Sequence, residues 1–117
     1  MPIIHYSDAP SDNRYPGVNR ATLVDASQGA LSIYIGHLQV TPGSSIATHI
    51  HPDTEEAMII VEGALEAILG DEVVTLGPGD TVLAPAGVKH GFVNRTGENA
   101  RLIAAFPKTS FERVTVD

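Results

Sequence analysis

Two residue types that bind divalent metals crowd into one short stretch of this chain, where His49 and His51 are followed by the adjacent carboxylates Glu55 and Glu56. In an extended strand, residues two apart point to the same face with Cα atoms roughly 7 Å apart, so two imidazoles can converge on one ion. Pro52-Asp53-Thr54 then turns the chain, and the next strand can return a carboxylate to the same side. Clustered imidazole and carboxylate are costly to bury without compensation, so a bound cation is the chemistry this pattern suggests. His90 is the remaining candidate ligand, and local spacing does not join it to the others. His5 and His37 stand alone.

The elements that must position these side chains read as strands. Thr22-Leu23-Val24 and a run from Leu31 to Val40 flank Ala26-Ser27-Gln28-Gly29, a hairpin-type loop. Further strands are expected at Ala47–His51, Glu56–Val61, Leu65–Leu69, Glu72–Leu76, Gly91–Asn94 and Arg101–Phe106, with Gly70-Asp71 forming a two-residue type II′ loop. About ten short strands in all, with no segment of 3.6-residue period, predict an all-β sandwich or barrel. Residues 1–20 contain Pro10 and Pro16 in a polar stretch and are expected to form an extended N-terminal arm, with the barrel over 21–117.

Composition excludes several classes of function. At 117 residues, one domain is expected. Seven basic against fourteen acidic side chains give a net charge of −7 without any basic run, so no nucleic-acid partner is expected. The run Ala57–Val61 is too short to span a bilayer, and Met1–His5 has no leader pattern, so a cytoplasmic protein with no membrane partner is expected. With no cysteine there are no disulfides, thiolate nucleophiles or thiolate metal sites.

Gly43 through Gly63 (GSSIATHIHPDTEEAMIIVEG) and Gly79 through Asn94 (GDTVLAPAGVKHGFVN) resemble the two sequence motifs of the cupins, and every fixed position of both is filled. The spacer Ala64–Pro78 has the short length of small single-domain members. The resemblance implies a single antiparallel jelly-roll barrel holding a divalent metal on His49, His51, Glu56 and His90. The motif, counted back from Gly63, selects Glu56 over Glu55, and Asn94 closes the second motif as a structural hydrogen-bonding residue.

Alternation from Glu56 places Met58 and Ile60 on the ligand face, and alternation from His90 places Phe92 there. His37 and Gln39 share a face of a neighbouring strand and are candidate polar pocket residues. Nitrogen and oxygen ligands suit one divalent transition ion per chain: Mn, Fe, Co, Ni, Cu or Zn. Four protein ligands on an octahedral ion leave two positions for a small-molecule substrate. Three functions fit: a dioxygenase acting on a chelating enol or diketone, an isomerase or lyase polarising a hydroxy-carbonyl or sugar acid, and a non-catalytic metal or small-ligand binder. The apolar wall favours the dioxygenase. No catalytic base is assigned; Glu55, His37 and Tyr34 are candidates. Arg95, Arg101, Lys108 and Arg113 do not alternate into the ligand face, so a strongly anionic sugar acid is expected to lack a clamp. Exposed strand edges and the arm predict a homodimer.

Overall fold

The computed structural model describes residues 1–116. Eleven strands follow in order: β1 Ser11–Tyr15, β2 Val18–Val24, β3 Tyr34–Val40, β4 Ser45–Ile50, β5 Glu56–Glu62, β6 Leu65–Leu69, β7 Glu72–Leu76, β8 Thr81–Ala84, β9 His90–Val93, β10 Ala100–Phe106 and β11 Val114–Thr115. They make a six-stranded sheet, β1-β2-β3-β10-β5-β8, and a five-stranded sheet, β11-β4-β9-β6-β7. All pairings are antiparallel, which with the crossovers between sheets gives the expected jelly roll. No α-helix occurs among the described residues; two 3₁₀ turns, Tyr6–Asp8 and Ala26–Gln28, are the only helical segments there. No helix is long and apolar enough to cross a membrane.

The sheets face one another because their strands alternate. In β10, Ala100, Leu102, Ala104 and Phe106 are buried while the residues between them are only half-buried. In β5, Glu56, Met58 and Ile60 point inward and Ile59 points out. The inner faces meet in a core that includes Val18, Val40, Ile46, Met58, Ile60, Leu65, Phe92 and Leu102. Burying each such side chain contributes about 1.5–3 kcal/mol. The β6–β7 hairpin closes at Gly70-Asp71, with Leu69 paired to Glu72. Gly70 has φ 62° and Asp71 no positive φ, the sign pattern of a type II′ loop.

Two local expectations change. Residues 11–20, expected within an arm, supply β1 and the start of β2, and Val18 is buried against the core. Leu31-Ser32-Ile33, expected as strand, precede β3 and are exposed. The partner strands run out there: Val24 of β2 pairs with Ile35 and Phe106 of β10 with Tyr34, so no strand lies opposite residues 31–33. The loop before them is closed by Asp25, whose side chain accepts from the Ser27 amide at 2.9 Å and whose amide donates to Gln28 at 2.7 Å, a capping box that winds Ala26–Gln28 into a 3₁₀ turn.

Candidate metal centre

His49 sits near the end of β4, His51 just beyond it, Glu56 at the start of β5 and His90 at the start of β9. Each offers one ligand-type atom, and these atoms all lie within 4.8 Å of one another; all four residues are buried. The ring centroids of His49 lie 4.9 Å from His51 and 4.4 Å from His90. His90, which local spacing could not place, arrives because β4 pairs with β9 and sets His49 directly opposite His90.

A β-bulge orients that pair. Ile46 pairs with Phe92 and His49 with His90, so three steps along β4 match two along β9. Ile46 and His49 are an odd number apart, yet both are buried, which a regular strand forbids and a bulge permits. Gly91 makes room for it: a Cβ there would come within 2.9 Å of the Ile46 carbonyl oxygen and 3.1 Å of Thr48 Cα. The turn before His90 closes through the Val88 amide donating to the Pro85 carbonyl at 3.1 Å. Gly87 in that turn has φ 80°, and its amide donates to the His51 carbonyl at 3.0 Å.

The backbone fixes the tautomer of all three histidines. Nδ1 of His49 donates to the Ala47 carbonyl at 2.7 Å, that of His51 to the Glu112 carbonyl at 2.6 Å, and that of His90 to the Val88 carbonyl at 3.0 Å. A carbonyl only accepts, so Nδ1 carries the proton and each neutral ring presents its Nε2 lone pair to the interior. Nε2 of His90 lies 2.9 Å from Glu56 Oε1, and Nε2 of His51 lies 3.4 Å from it. Lone pairs facing a carboxylate require positive charge between them, a proton or a metal ion. This donor set, oriented by carbonyls behind it, fits a divalent transition ion.

The electrostatics agree. Burial pushes His49 down to about 4, and repulsion from His90 and His51 adds to this against the Ala47 hydrogen bond. Burial opposes charging of His51 as well, but the Glu56 and Glu112 hydrogen bonds outweigh it and raise its pKa. Burial would raise Glu56, yet the Nε2 atoms of His51 and His90, which donate to its carboxylate whenever they carry a proton, hold it below the usual carboxylate range.

The cluster forms one wall of a cavity of about 280 Å³. Met58 and Phe92 line it, as alternation predicts, together with Tyr34, Leu102, Phe106 and Phe111. Phe106 and Phe111 stack at 3.7 Å, and His51 meets their edges at 4.9 and 5.3 Å. Ile60 is instead packed wholly within the core.

His37 and Gln39, expected in the pocket, are not there. On β3 the inward residues are Tyr34, Leu38 and Val40, and His37 lies on the opposite face, where Arg101 Nε donates to its Nε2 at 2.9 Å. Gln39 lines a separate surface groove with Asn13 and Asn19. Glu55 is exposed on the turn. Of the three candidate bases only Tyr34 reaches the cavity, and its hydroxyl is 3.2 Å from Thr22 Oγ1. Of the four cations expected to stay off the ligand face, Arg113 instead lines the cavity, and Arg14 and Arg20 line it with Arg113. Register explains Arg20, which shares the inner face of β2 with Val18 and pairs with Leu38. Arg113 is carried in by the C-terminal segment, which no local pattern ties to the barrel.

The cupin domain family model matches residues 36–106. The chain is 37% identical over 101 residues to Protein SchB of Streptomyces halstedii, covering 86% of this chain and 73% of that protein. It is 34% identical over 97 residues to the tetracenomycin polyketide synthase protein TcmJ of Streptomyces glaucescens, covering 83% of this chain and 64% of that one. The solved structure of the polyketide cyclase RemF from Streptomyces resistomycificus superposes with a TM-score of 0.87 at 27% identity, over 100% of this chain and 86% of its own. With both motifs folded around one buried His₃Glu cluster and a family model matching most of the barrel, this chain belongs to the cupin family.

Proposed function

We propose that the protein is a metal-dependent enzyme acting on a small, chelating, oxygen-bearing substrate of the enolisable polyketone class, and that it promotes ring closure of such a chain. The observation that carries this is the convergence of three Nε2 lone pairs and the Glu56 carboxylate on one wall of an otherwise aromatic and aliphatic cavity. His49, His51, Glu56 and His90 are the proposed ligands of one divalent ion. A bound ion supplies Lewis-acid polarisation of a chelated carbonyl–enolate pair. The residues around it do the rest. Met58, Leu102 and Phe106 exclude water, and Phe92 and Phe111 offer flat surface to a folded or aromatising chain. Similarity to a polyketide synthase protein and a polyketide cyclase supports a redox-neutral cyclisation. The dioxygenase is the second reading, favoured by the nitrogen-rich ligand set beside an apolar wall.

Turnover of a linear β-polyketone separates the two. Protein loaded with Zn or Ni is expected to cyclise it at the same rate with oxygen removed. Activity confined to Fe-loaded protein and lost without oxygen would establish the dioxygenase instead. The ligand assignment has its own test by elemental analysis: about one transition ion per chain is expected, with a severe loss in His51→Ala and little change in Glu55→Ala. Equal losses would overturn the choice of Glu56.

A further inference from the structure

The chain has seven cationic side chains and twice as many acidic ones, so each cation has carboxylates to choose from. Five take one: Arg20 with Asp12, Lys89 with Asp71, Arg95 with Glu66, Arg101 with Glu62 and Lys108 with Asp53. Among the described residues, the two left without a carboxylate are Arg14 and Arg113, and both line the cavity that holds the His₃Glu cluster. Buried side-chain polar atoms without a protein partner sharpen the point. Among the described residues they are Tyr15 Oη, Arg20 Nε and Arg113 Nη2, and all three residues line this same cavity. Each of these atoms carries a hydrogen to donate, and none meets an acceptor among the described residues. A buried donor left unsatisfied is costly, more so when the group is charged, so these atoms favour an acceptor brought by a ligand.

The local structure holds the donors in place. Arg113 lies over the Tyr15 ring at 4.8 Å from its centroid and donates from Nη1 to Thr115 Oγ1 at 3.2 Å, which leaves Nη2 for something else. Burial, followed by the charge of Arg14, lowers the Arg113 pKa, so two like charges are held near one another in a chain that is acidic overall. The preceding residue, Glu112, accepts the His51 Nδ1 hydrogen bond through its carbonyl. One backbone segment therefore carries both the support of a proposed metal ligand and the Arg113 guanidinium.

We infer that Arg113, Arg20 and Tyr15, with Arg14 at the solvent edge, form an oxyanion-recognising subsite that receives a carboxylate or enolate oxygen of the substrate. The inference deepens the proposed function by making the substrate an anion: its apolar body occupies the aromatic cavity and its charged oxygen meets donors from β1, β2 and the C-terminal segment. A planar guanidinium suits a carboxylate because it presents two parallel N–H donors to two oxygens. The subsite needs no metal, so it can be tested apart from the ligand cluster.

The experiment measures binding of 2-naphthoate and of its neutral counterpart 2-naphthamide to chelator-treated full-length protein by calorimetry. A charge-assisted contact predicts naphthoate binding about tenfold tighter in the wild type. That preference is expected to disappear in Arg113→Gln, to fall in Arg14→Gln, to persist in part in Arg113→Lys and to be unchanged in Arg95→Gln. Because Arg14 is exposed, its variant keeps the test valid even where Arg113→Gln does not fold, which a thermal melt reports. Equal affinity for the two probes in the wild type, or an undiminished preference in both glutamine variants, would overturn the subsite. Metal content is expected to be unaltered in Arg14→Gln. A protein that prefers naphthoate but takes up no metal would refute the metal reading and leave the subsite standing.

Discussion

At the scale of single residues, a histidine is defined by what its second nitrogen meets. His49, His51 and His90 each give Nδ1 to a backbone carbonyl and so turn Nε2 inward as a lone pair. His37 receives Arg101 at Nε2 and has no lone pair left for a metal, although it is as buried as the others. Burial, followed by the Arg101 charge, lowers the His37 pKa below its ordinary 6.5. The sign of the pH effect follows, since the unfolded chain then binds a proton more readily than the folded one. The His37 contribution to stability is complete above about pH 6.5 and is lost as the pH falls from there to the lower folded-state value. In metal-free protein, the stability difference between wild type and His37→Gln, read from urea midpoints, is expected to shift in favour of the variant between pH 7.5 and pH 5. A difference that does not change with pH would show that His37 titrates alike in both states.

At the scale of elements, the β4–β9 pair decides whether a site exists. The bulge between Ile46 and His49 turns both side chains inward, and it fits only because Gly91 has no side chain beneath it. Gly91→Ala forces a Cβ against the Ile46 carbonyl and the Thr48 backbone. The change is expected to cost about 1–3 kcal/mol, as overpacking of a tight interior does, and to lower metal occupancy by displacing His49 relative to His90. Chemical denaturation and elemental analysis check the two effects. A stable variant with full occupancy would show that the strands separate without disturbing the cluster. Asn94 secures the same region from the other end. It is fully buried, with Nδ2 donating to the Val40 and Glu98 carbonyls at 2.9 and 2.8 Å and Oδ1 accepting from the Thr96 amide.

At the scale of the whole molecule, the two faces of the six-stranded sheet differ in kind. Its inner face closes the core. Its outer face carries Ile59, Val61 and Leu83 on the neighbouring strands β5 and β8, exposed to 42%, 43% and 62%, and β8 is an edge strand. Apolar side chains beside an open strand edge favour association with a second copy. A homodimer is therefore expected, formed through this edge, while residues 11–15 pair as β1 with β2 of the same chain. Light scattering is expected to give about twice the 12.3 kDa chain mass, falling toward one chain mass in Leu83→Glu. A single-chain mass for the wild type across micromolar concentrations would contradict it.

Patterns that act over a few residues were legible in the chain alone. Alternation in β5 and β10, the Gly70-Asp71 hairpin and the His49–His51 pair each depend on neighbours within one element, where a period of two dictates the face. The resemblance of two motifs added His90, whose partner lies 41 positions earlier. Other features depended on pairing between distant segments and left no local trace. Alternation grouped His37 with Gln39, but only the register of β3 against β2 and β10 decided that their face looks away from the core. The strand pattern of Leu31–Ile33 came to nothing because β2 and β10 end opposite Ile35 and Tyr34 and leave those residues no partner. The cationic end of the cavity was invisible because Arg14, Arg20 and Arg113 come from opposite ends of the chain. They meet only because β1, β2 and the segment before β11 close over the same opening, and the charge of a side chain does not reveal which cavity it will enter.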